Sequence, residues 1–239
     1  MYYLSTLFIM FIIYSVIGYI VEVSFVSINE KKLNLSRGYL IGPVIPVFGL
    51  GAVLMCLLLQ KYENDIIALY VLSTAICTGL EYFTSLLMEK IFRMRWWDYS
   101  DEKLNLDGRV CLKFALCFGL GGVIIIKYVQ PLISNFLYSF DSKTIYIIAA
   151  ILFVLFLIDF IVSTNIVMSL RINIHRLTNK DVTHKIKKEV RRRLSSASIL
   201  TKRLMNAFPD MPKLNKNLNL EAVEDLIFGR KRFPFWKKK

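Results

Sequence analysis

Trp96-Trp97-Asp98-Tyr99-Ser100-Asp101-Glu102-Lys103-Leu104-Asn105-Leu106-Asp107-Gly108-Arg109-Val110-Cys111 is a polar run between two apolar stretches. It holds four carboxylates, two cations and three aromatic rings, too much polarity to lie in lipid. Tryptophan and tyrosine at such an edge suit the headgroup layer, where one face of the ring is apolar and one edge is wet. An interfacial loop with an aromatic belt accounts for Trp96, Trp97 and Tyr99. It does not account for Asn105 and the Gly108-Arg109 pair.

The flanking stretches belong to a set. Five segments, 2–26, 38–59, 66–88, 110–129 and 144–168, are apolar enough to cross a hydrocarbon core of about 30 Å. Of the 239 residues 55% are apolar, above the roughly 45–50% of soluble domains, and the mean hydropathy is +0.49. The expected fold is an all-α, polytopic membrane protein with about five transmembrane helices. The fourth span is the weakest, since Lys113 and Lys127 bracket its uncharged part; both lie near its ends and can snorkel.

Charge divides the chain in two. Residues 1–170 carry twelve Lys and Arg against twelve Asp and Glu, whereas 171–239 carry nineteen against six. This separates a transmembrane domain, 1–170, from a basic cytoplasmic tail, 171–239. Within the tail, apolar residues recur at spacings of three and four over 180–206, which predicts an amphipathic helix. A basic segment beside a membrane span first signals topology and contact with anionic lipid, and nucleic acid is the weaker partner. The loops around 27–37 and 89–113 are also rich in Lys and Arg. With five spans all three basic segments share one side. The N-terminus is then outside the cell membrane and the C-terminus in the cytoplasm.

Cys56, Cys77, Cys111 and Cys117 form no Cys-x-x-Cys, which argues against a zinc site or a disulfide framework. Both histidines, His175 and His184, lie in the tail. The N-terminus lacks a basic n-region and its apolar stretch is too long for a signal peptide, so it reads as an uncleaved span.

The second span is interrupted. Arg37-Gly38-Tyr39-Leu40-Ile41-Gly42-Pro43-Val44-Ile45-Pro46 contains two glycines and two prolines, and proline inside a helix removes a donor and clashes with the preceding turn. A regular helix is easiest to start at Pro46. From there to Leu59 it would reach about 21 Å, short of the bilayer core. Gly38–Ile45 must then pass the cytoplasmic part of the membrane in broken form, which survives only against protein or a water-filled cavity. The competing reading is an ordinary kinked helix.

An internal echo follows. Leu33-Asn34-Leu35 matches Leu104-Asn105-Leu106, and Phe48-Gly49-Leu50-Gly51 matches Phe118-Gly119-Leu120-Gly121, at offsets of 71 and 70 residues. Each copy follows a span with a glutamate in its later part, Glu22 or Glu81. Two ordered matches within one residue of register argue for a duplicated two-helix unit, with both copies in the same orientation.

Three carboxylates, Glu22, Glu81 and Asp159, fall within spans. Each is a functional candidate, because an ionisable group in lipid needs a partner or water. At 1.5 Å per residue they lie about 6, 10 and 14 Å from the cytoplasmic ends of their spans. Arg37, Asp98, Asn105 and Arg109 approach from the same face. The expected substrate-binding set is therefore Glu22, Arg37, Glu81, Asp98, Asn105, Arg109 and Asp159, lining a polar cavity open to the cytoplasm. Gly38, Gly42, Pro43, Pro46, Trp96, Trp97, Tyr99 and Gly108 form the structural frame. Arg37 and Arg109 are placed to pair with Glu22 and Glu81, because a guanidinium fork bonds a carboxylate in two places. Salt bridges that only fix helix register would use the same residues. No ATPase, hydrolase or metal motif occurs, so neither enzymatic activity nor a metal or cofactor is expected.

The elbow Ser36-Arg37-Gly38-Tyr39-Leu40-Ile41-Gly42-Pro43, with Pro46 and Gly49, resembles an Asn-Arg-Gly-Phe-Leu-x-Gly-Pro-x-x-Pro-x-Tyr-Gly motif. The run Trp96-Trp97-Asp98-Tyr99-Ser100, followed by Asn105-Leu106-x-Gly108-Arg109-Val110-Cys111-Leu112, resembles the second motif of the same group. Over about residues 5–170 the chain is similar to the putative ABC-transporter type IV family of bacterial membrane proteins. It departs from the pattern at Ser36, Phe48 and Phe118, where Asn, Tyr and Trp are usual. The resemblance implies a permease served by a separate ATPase subunit, and because five spans alone make a small pathway, a permease of this size is expected to form a homodimer. Two alternatives stand beside it. One is a non-catalytic scaffold that binds anionic lipid or protein through the basic tail. The other is a lipid-modifying enzyme at the inner leaflet.

Overall fold

The computed structural model describes residues 1–178 apart from 32 and 93–95, with the backbone alone at 30 and 169–178. The amphipathic helix expected over 180–206 lies outside the described residues, as does the rest of the tail beyond 178.

The described chain is helical. Its elements are α1 (Tyr2–Glu30), α2 (Pro46–Leu59), α3 (Ile66–Phe92), α4 (Leu112–Ile124), α5 (Gln130–Tyr138) and α6 (Ser142–Thr178). Four helical stretches, Tyr2–Asn29, Ile66–Phe92, Leu112–Tyr138 and Ser142–Met168, are long and apolar enough to cross a membrane. At 27 or 28 residues each, they reach about 40 Å. The protein is a multi-pass helical membrane protein.

Helix α2 is the short one, at 14 residues with Pro46 in its first turn, where the missing N–H costs nothing. Before it Ile45 is extended, with φ −115° and ψ 97°. The Ile45 N–H instead donates to the Ser15 carbonyl of α1 at 3.1 Å. The broken entry is thus sealed against protein.

The fourth span runs further than expected. It continues through Lys127 to Tyr138, because Ile125–Val129 widens into a π-helical turn that joins α4 to α5. Pro131 then sits in the first turn of α5, where proline is tolerated. Gln130, next to the wide turn, is buried. It accepts from the Tyr14 hydroxyl at 2.6 Å and the Cys56 thiol at 3.1 Å, and donates to Ser134 Oγ at 2.9 Å. Hydropathy does not reveal this polar knot; only packing does.

Helix α1 packs on α2, α3 on α4, α2 on α3, and α6 on α1. The main core lies between these elements and includes Ile9, Tyr14, Met55, Leu69, Ile126 and Ile145. A smaller cluster joins Phe92, Trp96 and Val167, with Tyr39 and Trp97 against it. Trp96 is only 2% exposed, so it is a core residue rather than part of an interfacial belt.

The two hairpins α1–α2 and α3–α4 share a helix contact at matching positions. Ser15 Oγ donates to the Phe11 carbonyl, and Gly49 of α2 lies against both residues. In the second unit Thr74 Oγ1 donates to the Tyr70 carbonyl, and Gly119 of α4 lies against both. Phe11 and Tyr70, Ser15 and Thr74, and Glu22 and Glu81 share one separation, 59 residues. Gly38 and Gly108 both have positive φ, 81° and 65°. The added residues of the second unit lie in the loop at 96–111. There β1 (Asn105–Leu106) pairs with β2 (Val110–Cys111). Asp107 and Gly108 make the turn, both with φ > 0, the geometry a tight hairpin requires.

Candidate functional site

Five of the seven expected site residues fall into three groups, and the other two brace the loop. The first joins the hairpins. Tyr99, in the loop after α3, donates its hydroxyl to Glu81 Oε1 at 3.1 Å. Glu22 of α1 lies close enough to Tyr99 to act on it electrostatically, and Arg37 close enough to act on Glu22. Glu81 Oε2 is enclosed and has no hydrogen-bond partner among the described residues. Tyr99 is held by its own N–H, which donates to the Gly108 carbonyl at 2.7 Å, and by its ring, 5.0 Å from that of Phe114. Burial, followed by the charge of Glu81, pushes the Tyr99 phenol well above the usual tyrosine range, so it remains a donor.

The second group centres on Arg109. Expected beside Glu81, it instead pairs with Glu89, one helical stretch further along α3, at 2.6 Å. It also donates to Ser85 Oγ at 3.2 Å and lies 5.9 Å from the Tyr82 ring centre. Its carbonyl accepts from Trp97 Nε1 at 2.9 Å. Ser85 and Glu89 are one turn apart on α3 and so share a face. The tight turn at Asp107 and Gly108 delivers the guanidinium to that face.

The third group centres on Asp159. Its Oδ1 accepts from the Ile41 N–H at 2.9 Å and from Ser163 Oγ at 3.0 Å, and its Oδ2 from the Gly42 N–H at 2.8 Å. One turn on, Thr164 shares a hydrogen bond with the Tyr39 hydroxyl at 2.6 Å. Helix α6 therefore supplies the donors' partners that the broken backbone at 38–45 lacks internally. A Cβ at Gly42 would lie 2.8 Å from Asp159 Oδ2, so glycine is what allows this approach.

Asp98 and Asn105 brace the loop. Asp98 Oδ1 accepts from the Ser100 N–H at 3.0 Å. The Asn105 side chain donates to the Glu102 carbonyl at 2.8 Å and accepts from the Gly108 N–H at 3.0 Å. The structure thus links Glu22, Arg37 and Glu81 through Tyr99, while Arg109 turns to Glu89 and Asp159 to the elbow. The sequence reading missed Tyr99 as a polar partner, and Glu89 and Ser85 altogether. Among the described residues no three His, Cys, Asp or Glu side chains gather as metal ligands would.

Residues 9–164 match the family described as Putative ABC-transporter type IV. The chain belongs to that family. The match begins inside α1 and ends at Thr164, so all three polar groups fall within the type IV segment and the tail falls outside it. Comparison with curated proteins gives no match, nor does comparison with solved structures. For this type IV protein the function therefore rests on the site itself.

Proposed function

We propose that the chain is a permease-like membrane subunit whose solute site is the cluster Glu22, Arg37, Glu81 and Tyr99. The observation that carries this reading is the juxtaposition of two intramembrane carboxylates, one from each repeated hairpin, with a tyrosine hydroxyl between the hairpins. An ionisable group inside a membrane is a candidate for contact with a substrate or an ion, because it is expensive to bury. Transporters built from repeats place their sites at the repeat interface, beside interrupted helices, and α2 with its elbow is such a helix. Glu81 Oε2 is enclosed, and in this reading a solute reaches it only when the hairpins part.

Family membership fits a separate ATPase. In this reading it docks on the loops around 27–37 and 89–113, with the N-terminus outside the cell membrane and the C-terminus in the cytoplasm. The test is purification of the tagged chain in nanodiscs with its co-expressed ATPase, followed by ATP hydrolysis. A stoichiometric complex is expected, with hydrolysis reduced about tenfold in Glu81→Gln at unchanged subunit ratio. Absence of a stable complex, or full activity in both Glu22→Gln and Glu81→Gln, would refute the reading.

One observation favours a second reading. The whole excess of positive charge lies in 171–239, as in a scaffold that binds anionic lipid or an acidic partner. Deleting 179–239 separates the two readings: the scaffold loses its function and the permease retains it.

A further inference from the structure

Two sulfur atoms meet between α2 and α3. Cys77, near the middle of α3, donates its thiol to the thioether of Met55 on α2, with the sulfurs 3.6 Å apart. Glycines bring neighbouring backbone close to both. A Cβ at Gly51 would lie 3.8 Å from Cys77 Sγ, and one at Gly122 would lie 2.9 Å from Met55 Sδ. The Gly122 position also lies against Ser73 Oγ. That hydroxyl belongs to a fully buried residue and has no hydrogen-bond partner among the described residues. A buried polar group left so calls for a bound water or ion, or for a role in chemistry. Ser73, Cys77 and Glu81 follow one another at spacings of four on α3, so they share one stripe. Glu81 lies close enough to Cys77 to act on it electrostatically.

We propose that Cys77 and Met55 bind a soft monovalent metal ion, of the class of Cu(I) and Ag(I), with Ser73 as its polar neighbour. Donor chemistry selects the class, because thiolate and thioether are soft ligands that favour Cu(I) over harder ions. Donor number agrees. Among the described residues no three His, Cys, Asp or Glu side chains gather as a divalent ion would require, whereas a closed-shell monovalent ion is held by as few as two soft donors. Charge agrees as well. On binding, the Cys77 S–H bond breaks, a sulfur–metal bond forms and the proton leaves to water. One positive charge replaces another, and no net charge is added inside lipid, where a divalent ion would add one. Cys56, the residue after Met55, is no part of the site, because its thiol is turned to Gln130 Oε1 at 3.1 Å. The site adjoins the solute cluster at Glu81 but does not rest on it, since binding is read without transport.

The test is titration of the full-length chain in nanodiscs with Cu(I), under ascorbate and without oxygen, against a chromogenic Cu(I) chelator. One tight site per chain is expected. Cys77→Ser and Met55→Leu should each weaken it at least about tenfold, the least that losing even a supporting group costs a metal site. Cys56→Ser and Cys117→Ser should leave it unchanged. X-ray absorption at the copper edge adds a readout that a packing role would not move: sulfur neighbours in wild type, and one fewer in Met55→Leu. No competition with the chelator, or wild-type affinity in either Cys77→Ser or Met55→Leu, would overturn the proposal and leave the sulfur contact as packing. So would nitrogen neighbours in place of sulfur, which would put the ion on the histidines of the tail. If Cys77→Ser fails to fold, Met55→Leu, a swap that conserves volume, decides.

Discussion

Asp159 of α6 holds Gly42 in place across the bundle: its Oδ2 accepts the Gly42 N–H at 2.8 Å while its Oδ1 accepts that of Ile41 at 2.9 Å. The tie explains how interrupted backbone survives at this depth. Asp159→Asn presents one acceptor and one donor to two N–H groups, so only one keeps its bond to this side chain and Ile41 falls back on Ser163 Oγ at 3.1 Å. A loss of about 1–3 kcal/mol is expected, read as a lower midpoint of thermal unfolding in detergent. Gly42→Ala should act in the same direction by pushing the carboxylate away. An unchanged midpoint in both variants would show that the elbow is held by other contacts.

Arg109 closes the loop onto α3 through Glu89 and Ser85. Truncating one member of a largely buried pair costs about 3–5 kcal/mol, and Glu89 is partly exposed, so Arg109→Ala should fall near the low end. Arg109→Lys restores the charge but not the planar fork, and an intermediate loss is expected. Protease accessibility of the loop at 97–108 is the measurement. Equal cleavage rates in wild type and Arg109→Ala would contradict the bracing role.

The glycines sort by what faces them. At Gly49 an added methyl meets Ser15 and Phe11, and at Gly119 it meets Thr74 and Tyr70. Alanine at either position overpacks a helix contact, for an expected loss of about 1–3 kcal/mol. At Gly121 an added Cβ meets nothing within 4 Å, and alanine there should be neutral or stabilising by about 0.5–1 kcal/mol. Comparable losses in Gly49→Ala and Gly119→Ala would show that the two hairpins are energetically as well as geometrically repeated.

Asp141 caps α6. Its carboxylate accepts from the Thr144 hydroxyl and from the N–H groups of Lys143 and Thr144. These bonds, that of the Thr144 hydroxyl first, hold its pKa below the usual aspartate range. Lowered in the folded state, the group contributes stability that is complete above the ordinary aspartate value and lost as pH falls through the depressed one. Wild type should therefore lose stability relative to Asp141→Ala on acidification through that window, with a constant difference at neutral pH. A difference that does not change with pH would exclude the cap as its source.

Much of this architecture is written locally. Hydropathy along 2–30, 66–92 and 142–168 marks membrane helices, because transfer from water to lipid depends on composition over a window of residues. Pro46 sets the start of α2 and the glycines its elbow, because backbone geometry is decided at single residues. The repeat is legible because glycine contacts leave a spaced signature, Gly49 and Gly119. What a linear reading lacks is azimuth, the direction in which a side chain leaves its helix relative to a neighbour. Tertiary packing alone decided that Arg109 meets Glu89 rather than Glu81, that Tyr99 reaches Glu81, that Asp159 serves the elbow, and that the wide turn at Ile125–Val129 carries the fourth span on to Tyr138. Those outcomes depend on distances between elements far apart in the chain, and no local preference encodes them.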